Sequence, residues 1–157
     1  MTVRFFLLLF VMSISTCAVG ELRYVALDGS PSTDPTPAIQ FLEDTAGRLS
    51  IEQIRDADFA DLNASTISFG FTKSKYWLRF GVRNTTSERL TTVLKTTARF
   101  MRPLVIYQKR GSRFESVLYN DEQSPFEERP GASRHLGYQF SLGPSEMTEF
   151  YVYFGAG

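Results

Sequence analysis

His135 is the only histidine in the 157-residue chain, so a Ser-His-Asp arrangement would have to use it, and no site built on several imidazoles can form. It lies in the strand-like stretch Arg134-His-Leu-Gly-Tyr138, and no Gly-x-Ser-x-Gly turn is present to raise a nucleophilic serine. A general base must first reach the proton it removes, and nothing in the spacing puts a nucleophile beside this ring. Two carboxylate groupings, Asp121-Glu122 and Glu127-Glu128, sit near Pro125 and Pro130. Glycoside hydrolysis needs two carboxyl groups at a set separation across a cleft, which neighbouring acids on an irregular loop do not provide. Glu52, Asp56, Asp58 and Asp61 could supply oxygen ligands to calcium, but the run lacks the Asp-x-Asp-x-Asp-Gly pattern of a calcium loop. The sequence therefore predicts a protein that is not an enzyme, with no catalytic residues, no metal and no cofactor.

A second constellation suits recognition rather than catalysis. In Lys75 to Asn84 (KYWLRFGVRN), residues Tyr76, Leu78, Phe80 and Val82 share one face, while Trp77, Arg79, Gly81 and Arg83 share the other. In a two-sheet protein one face of such a strand enters the core and the other meets solvent or a groove. Tryptophan offers a flat apolar platform and arginine a fork of donors, a combination that stacks on a sugar and hydrogen-bonds a carboxylate. Trp77, Arg79, Tyr107 and His135 are the candidate ligand contacts on this reading, with Trp77 and Tyr107 lining an open concave face. The alternative is structural: Trp77 anchors the core and Arg79 runs past it to a carboxylate on the rim.

The elements that would carry these residues are short strands. Pro31, Pro35 and Pro37 make 29–38 an irregular arm, preceded by an edge strand within Glu21 to Leu27. Ile39 to Arg48 reads as a strand running into an Asp-Thr-Ala-Gly turn, and Ser50 as the cap of one helical turn, Ile51 to Ile54. Strands then follow at Thr66–Phe71, Lys75–Asn84, Leu90–Phe100, Leu104–Lys109 and Phe114–Tyr119, the last two forming a hairpin around 110–113. After a polar loop from Asn120 to Ser133, strands are expected at His135–Leu142 and Glu149–Phe154 around a Gly143-Pro144-Ser145 turn. Seven or eight such strands with almost no helix define an all-β chain, a β-sandwich or jelly roll.

Bulk properties narrow the partners. Seventeen basic and seventeen acidic residues cancel, without a block of either sign, so nucleic acid is not an expected partner. Arg4, the apolar run from Phe5 to Ile14 and the small residues of Ala18-Val19-Gly20 compose a cleavable signal peptide over 1–20. Its apolar run is about half of the ~20 residues that a membrane-spanning helix needs. The single cysteine, Cys17, lies inside this leader, so the exported domain has no disulfide and packing alone must hold it. The organisation expected is a leader at 1–20, an N-terminal strand and Pro-rich arm at 21–38, and one domain at 39–157.

The stretch Phe69-Gly-Phe-Thr-Lys-Ser-Lys-Tyr-Trp-Leu-Arg-Phe-Gly-Val-Arg-Asn84 resembles the core of a bacterial family. This family is the type 2 extracellular sensor domain of seven-transmembrane receptors with diverse intracellular signalling modules (7TMR-DISM). Leu42 to Ile54 (LEDTAGRLSIEQI) resembles its preceding segment; Arg134 to Leu142 and Phe150 to Phe154 resemble its ending. The likeness runs over about residues 39–155. It implies a jelly-roll sandwich like those of carbohydrate-binding modules, placed in the periplasm and sensing a small carbohydrate-like ligand. The rival reading is a periplasmic protein-interaction module that regulates a partner receptor, which predicts a homodimer or capture of that partner. The receptors continue into seven membrane helices, absent from this sequence, so the expectation is a receptor fragment, a truncated receptor or a free-standing domain.

Overall fold

The computed structural model describes residues 20–62, 69–70, 72–96, 103–120 and 136–155. Residues 1–19 of the expected signal peptide, residues 66–68 and 71 of the strand expected at Thr66–Phe71, the acids of 121–128 and His135 lie outside the described residues, and Phe69 and Gly70 lie outside any strand. The described residues form nine strands, one α-helical turn and one 3-10 turn (Thr36–Ala38): β1 (Tyr24–Leu27), β2 (Gln40–Asp44), α1 (Ile51–Ile54), β3 (Ala60–Asp61), β4 (Lys75–Asn84), β5 (Leu90–Thr96), β6 (Leu104–Arg110), β7 (Arg113–Asn120), β8 (Leu136–Leu142) and β9 (Met147–Gly155). The chain is all-β.

β4 is the axis of the larger sheet, whose strand order is β3-β2-β4-β9-β6-β7. On one edge β4 pairs antiparallel with β2 through Lys75–Arg79, and then parallel with β1 through Gly81–Asn84. Its other edge pairs with β9 over nine residues, setting Leu78 opposite Val152 and Phe80 opposite Phe150. β5 and β8 form a second, antiparallel ribbon from Leu90↔Leu142 to Thr96↔Leu136. This ribbon lies over the first sheet, with Phe140 packed edge-to-face on Phe150 at 4.9 Å between ring centroids.

Alternation along β4 divides the burial between two cores. Tyr76, Leu78, Phe80 and Val82 join Leu104, Ile106, Phe140, Leu142, Phe150 and Phe154 between the sheets. Each such side chain contributes about 1.5–3 kcal/mol by leaving water. The opposite face is also covered. Ile51, Ile54 and Phe59 fold back over Trp77 and Tyr151 to make a second core. The period of two thus assigns the faces correctly, but neither face of β4 is open over Tyr76–Val82.

Local chemistry holds the covering segment in place. Gln53 Oε1 accepts the Ser50 N–H at 2.8 Å, closing the first turn of α1 and turning Ile51 and Ile54 toward the sheet. Buried Asp44 accepts the Leu49 N–H at 2.9 Å and ties the end of β2 to the entry of this turn. At the far end of β4, Asn84 is fully buried. Its amide donates to the carbonyls of Glu88, Leu142 and Gly143, and its Oδ1 accepts from Thr86 N at 2.9 Å. That one side chain fastens the β4–β5 connection to the β8–β9 turn.

Candidate functional site

Trp77, Arg79 and Tyr107 do meet on one face, but beneath the 49–59 segment. The Trp77 indole is 2% exposed. It lies against Tyr153 at 4.8 Å and stacks with Tyr107 at 5.8 Å and 30°. Its Nε1–H is buried without an acceptor among the described residues. The expected open platform is corrected: the covering turn, Phe59 and the flanking tyrosines occupy the space that a sugar ring would need.

Arg79 is similarly enclosed, at 5% exposure. Its guanidinium sits 4.3 Å from the centroid of the Phe59 ring. Nε donates to Gln40 Oε1 at 2.8 Å and, in the chain that keeps its expected leader, Nη2 donates to the Gly20 carbonyl at 2.5 Å. Carbonyl oxygens therefore satisfy these donors, where a rim carboxylate was expected. Burial lowers the Arg79 pKa from its ordinary value, while Tyr151, Glu149, Asp58 and Asp61 pull it back up. Tyr107 is half-buried at the border of this cluster, its phenol pKa raised by burial and by Glu52. His135 lies outside the described residues.

The acidic run that could bind calcium is dispersed. Asp56 pairs with Arg55 at 3.1 Å, Asp61 pairs with Arg23, and Glu52 stands in the first turn of α1. Among the described residues no three His, Cys, Asp or Glu side chains converge on a metal-sized site.

Among the described residues, a ligand-sized cleft lies at the opposite face of β4, between the two sheets. It is a cleft of about 430 Å³, within the size range of small-molecule sites. Phe80, Val82 and Phe150 of the larger sheet make its floor. Leu94 and Phe140 of the ribbon make its roof, and Val25 and Leu27 of β1 close one side. Ser30, Ser32 and Thr33 of the Pro-rich arm form the lip, with Thr91, Thr92 and Lys95 of β5 across from them.

The arm is built to hold that lip. Asp28 Oδ1 accepts the Ser30 N–H at 2.9 Å across Gly29, whose φ of +87° suits glycine. Asp34 Oδ1 accepts from both Thr36 N and Thr36 Oγ1, at 2.9 and 2.6 Å. These bonds hold the Asp28 and Asp34 pKa values below the ordinary aspartate range. Both carboxylates are engaged along the arm itself, Asp28 by Ser30 and Asp34 by Thr36, and Ser32 and Thr33 stand exposed at the lip. Phe80 and Phe150 are themselves closed off, at 3% and 0% exposure, so what the cleft offers a ligand is its mouth between the arm and β5.

None of the four residues suggested by the sequence lines this cleft among its described residues. The available signals were the Ser/Thr/Pro composition of 29–38 and the Thr-rich strand from Leu90, but only the fold brings them together.

The fold is all-β, and comparison with known families makes its class specific. Residues 36–155 match the family described as 7TMR-DISM extracellular 2, and the chain belongs to that family. The family comprises extracellular sensor domains of seven-transmembrane receptors. No curated protein matches the chain. Among the described residues, no helix is long and apolar enough to cross a membrane.

Proposed function

We propose that this domain is the periplasmic sensor of a bacterial signalling receptor and that it binds a small carbohydrate-like ligand in the inter-sheet cleft. The residues 1–20 are its export signal, and the two sheets are the layers of a jelly roll like that of a carbohydrate-binding module. The role is one of binding, without catalysis. The observation that carries the reading is the cleft itself, about 430 Å³ between the sheets, with Ser30, Ser32 and Thr33 of the arm at its lip. Ligand entry between β1, the arm and β5 would press on both sheets at once, a position from which occupancy changes how they pack.

The test is a thermal-shift screen of mono- and oligosaccharides on the purified domain, followed by Thr33→Trp. Thr33 is exposed on the lip, so the bulky replacement obstructs the mouth without entering the core. A sugar that raises the melting temperature of the wild type, but not of Thr33→Trp, supports the reading. The absence of any shift across the screen, with concentration-dependent self-association instead, would replace it with a protein-interaction module.

A further inference from the structure

Gly20, the last residue of the expected leader, is folded into the domain. Its carbonyl oxygen accepts Arg79 Nη2 at 2.5 Å, and Arg79 is itself buried. A Cβ added at Gly20 would come within 3.0 Å of the Phe59 carbonyl and 3.1 Å of Gln40 Nε2, so this cradle suits a group without a side chain. The next carbonyl along, that of Glu21, accepts Gln40 Nε2 at 3.2 Å. Beside them opens a pocket of about 300 Å³, lined by Gly20, Glu21, Leu22, Arg23, Gln40 and Asp61. Of its two acids, Asp61 is already engaged by Arg23 and Gln40, and Glu21 is exposed.

Cutting the leader after Gly20 hydrolyses the Gly20–Glu21 amide. Water supplies the oxygen of a new carboxylate, which leaves with the leader, and protons to the nitrogen of Glu21. Arg79 then keeps Gln40 Oε1 on Nε, at 2.8 Å, but loses the acceptor of Nη2. At the same place it gains an α-ammonium, since an α-amino group of pKa about 7.7–8.0 is protonated at neutral pH. We propose that the processed domain carries a site for a small carboxylate anion, held between the Arg79 guanidinium and the Glu21 α-ammonium where the Gly20 carbonyl lies. This rests on residues 1–20 being a cleaved export signal and is independent of the inter-sheet cleft. A buried donor left without a partner is costly, and a carboxylate answers it with charge-assisted bonds, one oxygen to the guanidinium and one to the ammonium. The tight cradle limits the occupant to the size of formate or acetate.

The experiment expresses the full chain with its leader, purifies the exported protein and reads its N-terminus by mass spectrometry. A second form is released from a fusion so that Gly20 is its first residue; no core side chain changes, so it is expected to fold. Melting temperatures of both are followed against formate, acetate and neutral acetamide, with sodium chloride as the ionic-strength control. The expected result is an exported chain that begins at Glu21 and melts about 3 °C higher or more when formate or acetate is saturating. Acetamide and chloride give no such rise, and neither does any of the four in the form that keeps Gly20, whose carbonyl still occupies Nη2. An equal rise in both forms would overturn the inference by placing the anion elsewhere. No rise in a chain that begins at Glu21 would overturn it and leave the export reading standing, with Nη2 answered by water or by the Glu21 side chain. An exported chain that retains Gly20 would overturn that reading of the leader and the inference with it.

Discussion

Replacing Trp77 with alanine removes an indole that is 2% exposed and lies against Tyr107 and Tyr153 beneath α1. Truncations of this kind cost about 3–5 kcal/mol, against a total of about 5–15 kcal/mol for a typical domain. For a domain of this length the loss corresponds to a fall in melting temperature of about 10 °C. Trp77→Phe should be much milder. It keeps an aromatic side chain in the second core and also removes the Nε1–H, which has no acceptor among the described residues. Relief of such a buried donor is worth about 1–3 kcal/mol, offsetting much of the lost apolar contact. Urea unfolding followed by far-UV circular dichroism measures both variants on the same footing. Trp77 is also the only tryptophan, so wild-type fluorescence should be blue-shifted and protected from acrylamide until the domain unfolds. The reasoning fails if Trp77→Ala keeps wild-type stability while abolishing sugar binding, because that outcome makes the indole an exposed contact.

Gly81→Ala would set a Cβ 2.3 Å from Cδ1 of Tyr24, a clash expected to cost about 1–3 kcal/mol. Adding Tyr24→Ala should recover most of that loss, which a double-mutant cycle of denaturation midpoints checks. Asn84→Ala would strip three carbonyls and the Thr86 N–H of one common partner, so a loss of about 2–4 kcal/mol is expected from buried groups left unpaired. Equilibrium urea unfolding measures it. At alkaline pH the Tyr151 phenol matters: burial and Glu149, which accepts its hydrogen bond at 3.1 Å, raise its pKa above the ordinary 10.0. Its contribution is fully present below pH 10.0; as pH rises further the unfolded chain loses this proton first and stability falls. Denaturation midpoints from neutral to alkaline pH should drop in the wild type, and the drop should be shallower in Tyr151→Phe.

Most of the architecture was legible where apolar alternation was strong. Lys75–Asn84 forms β4 with the expected bounds, and Ile51–Ile54 forms the one helical turn after Ser50. The hairpin at 110–113 also forms, and the strand expected at Glu149–Phe154 begins two residues earlier, at Met147. A period of two separates Trp77 from Leu78 but cannot say what covers each face. That answer depends on Phe59 returning to Arg79 and on Ile54 returning to Trp77, contacts across about twenty residues. The apolar residues Ile51, Ile54 and Phe59 in a polar stretch were the clue that a second core was needed. The cleft was less legible still, because its floor, roof and lip come from five separate segments. Its residues are ordinary alone: phenylalanines suited to any core, and serines and threonines suited to any turn.

The most direct test of the central claim, that the ligand sits between the sheets and not at Trp77, is a ¹H–¹⁵N NMR titration with a saccharide that shifts the melting temperature. Trp77 supplies the only indole N–H signal in the chain, so the two locations report separately. The account predicts shifts for Val25, Leu27, Ser32, Leu94 and Lys95, with the indole signal stationary. A moving indole signal with shifts at Tyr107 and Tyr153, and a silent cleft, would contradict it.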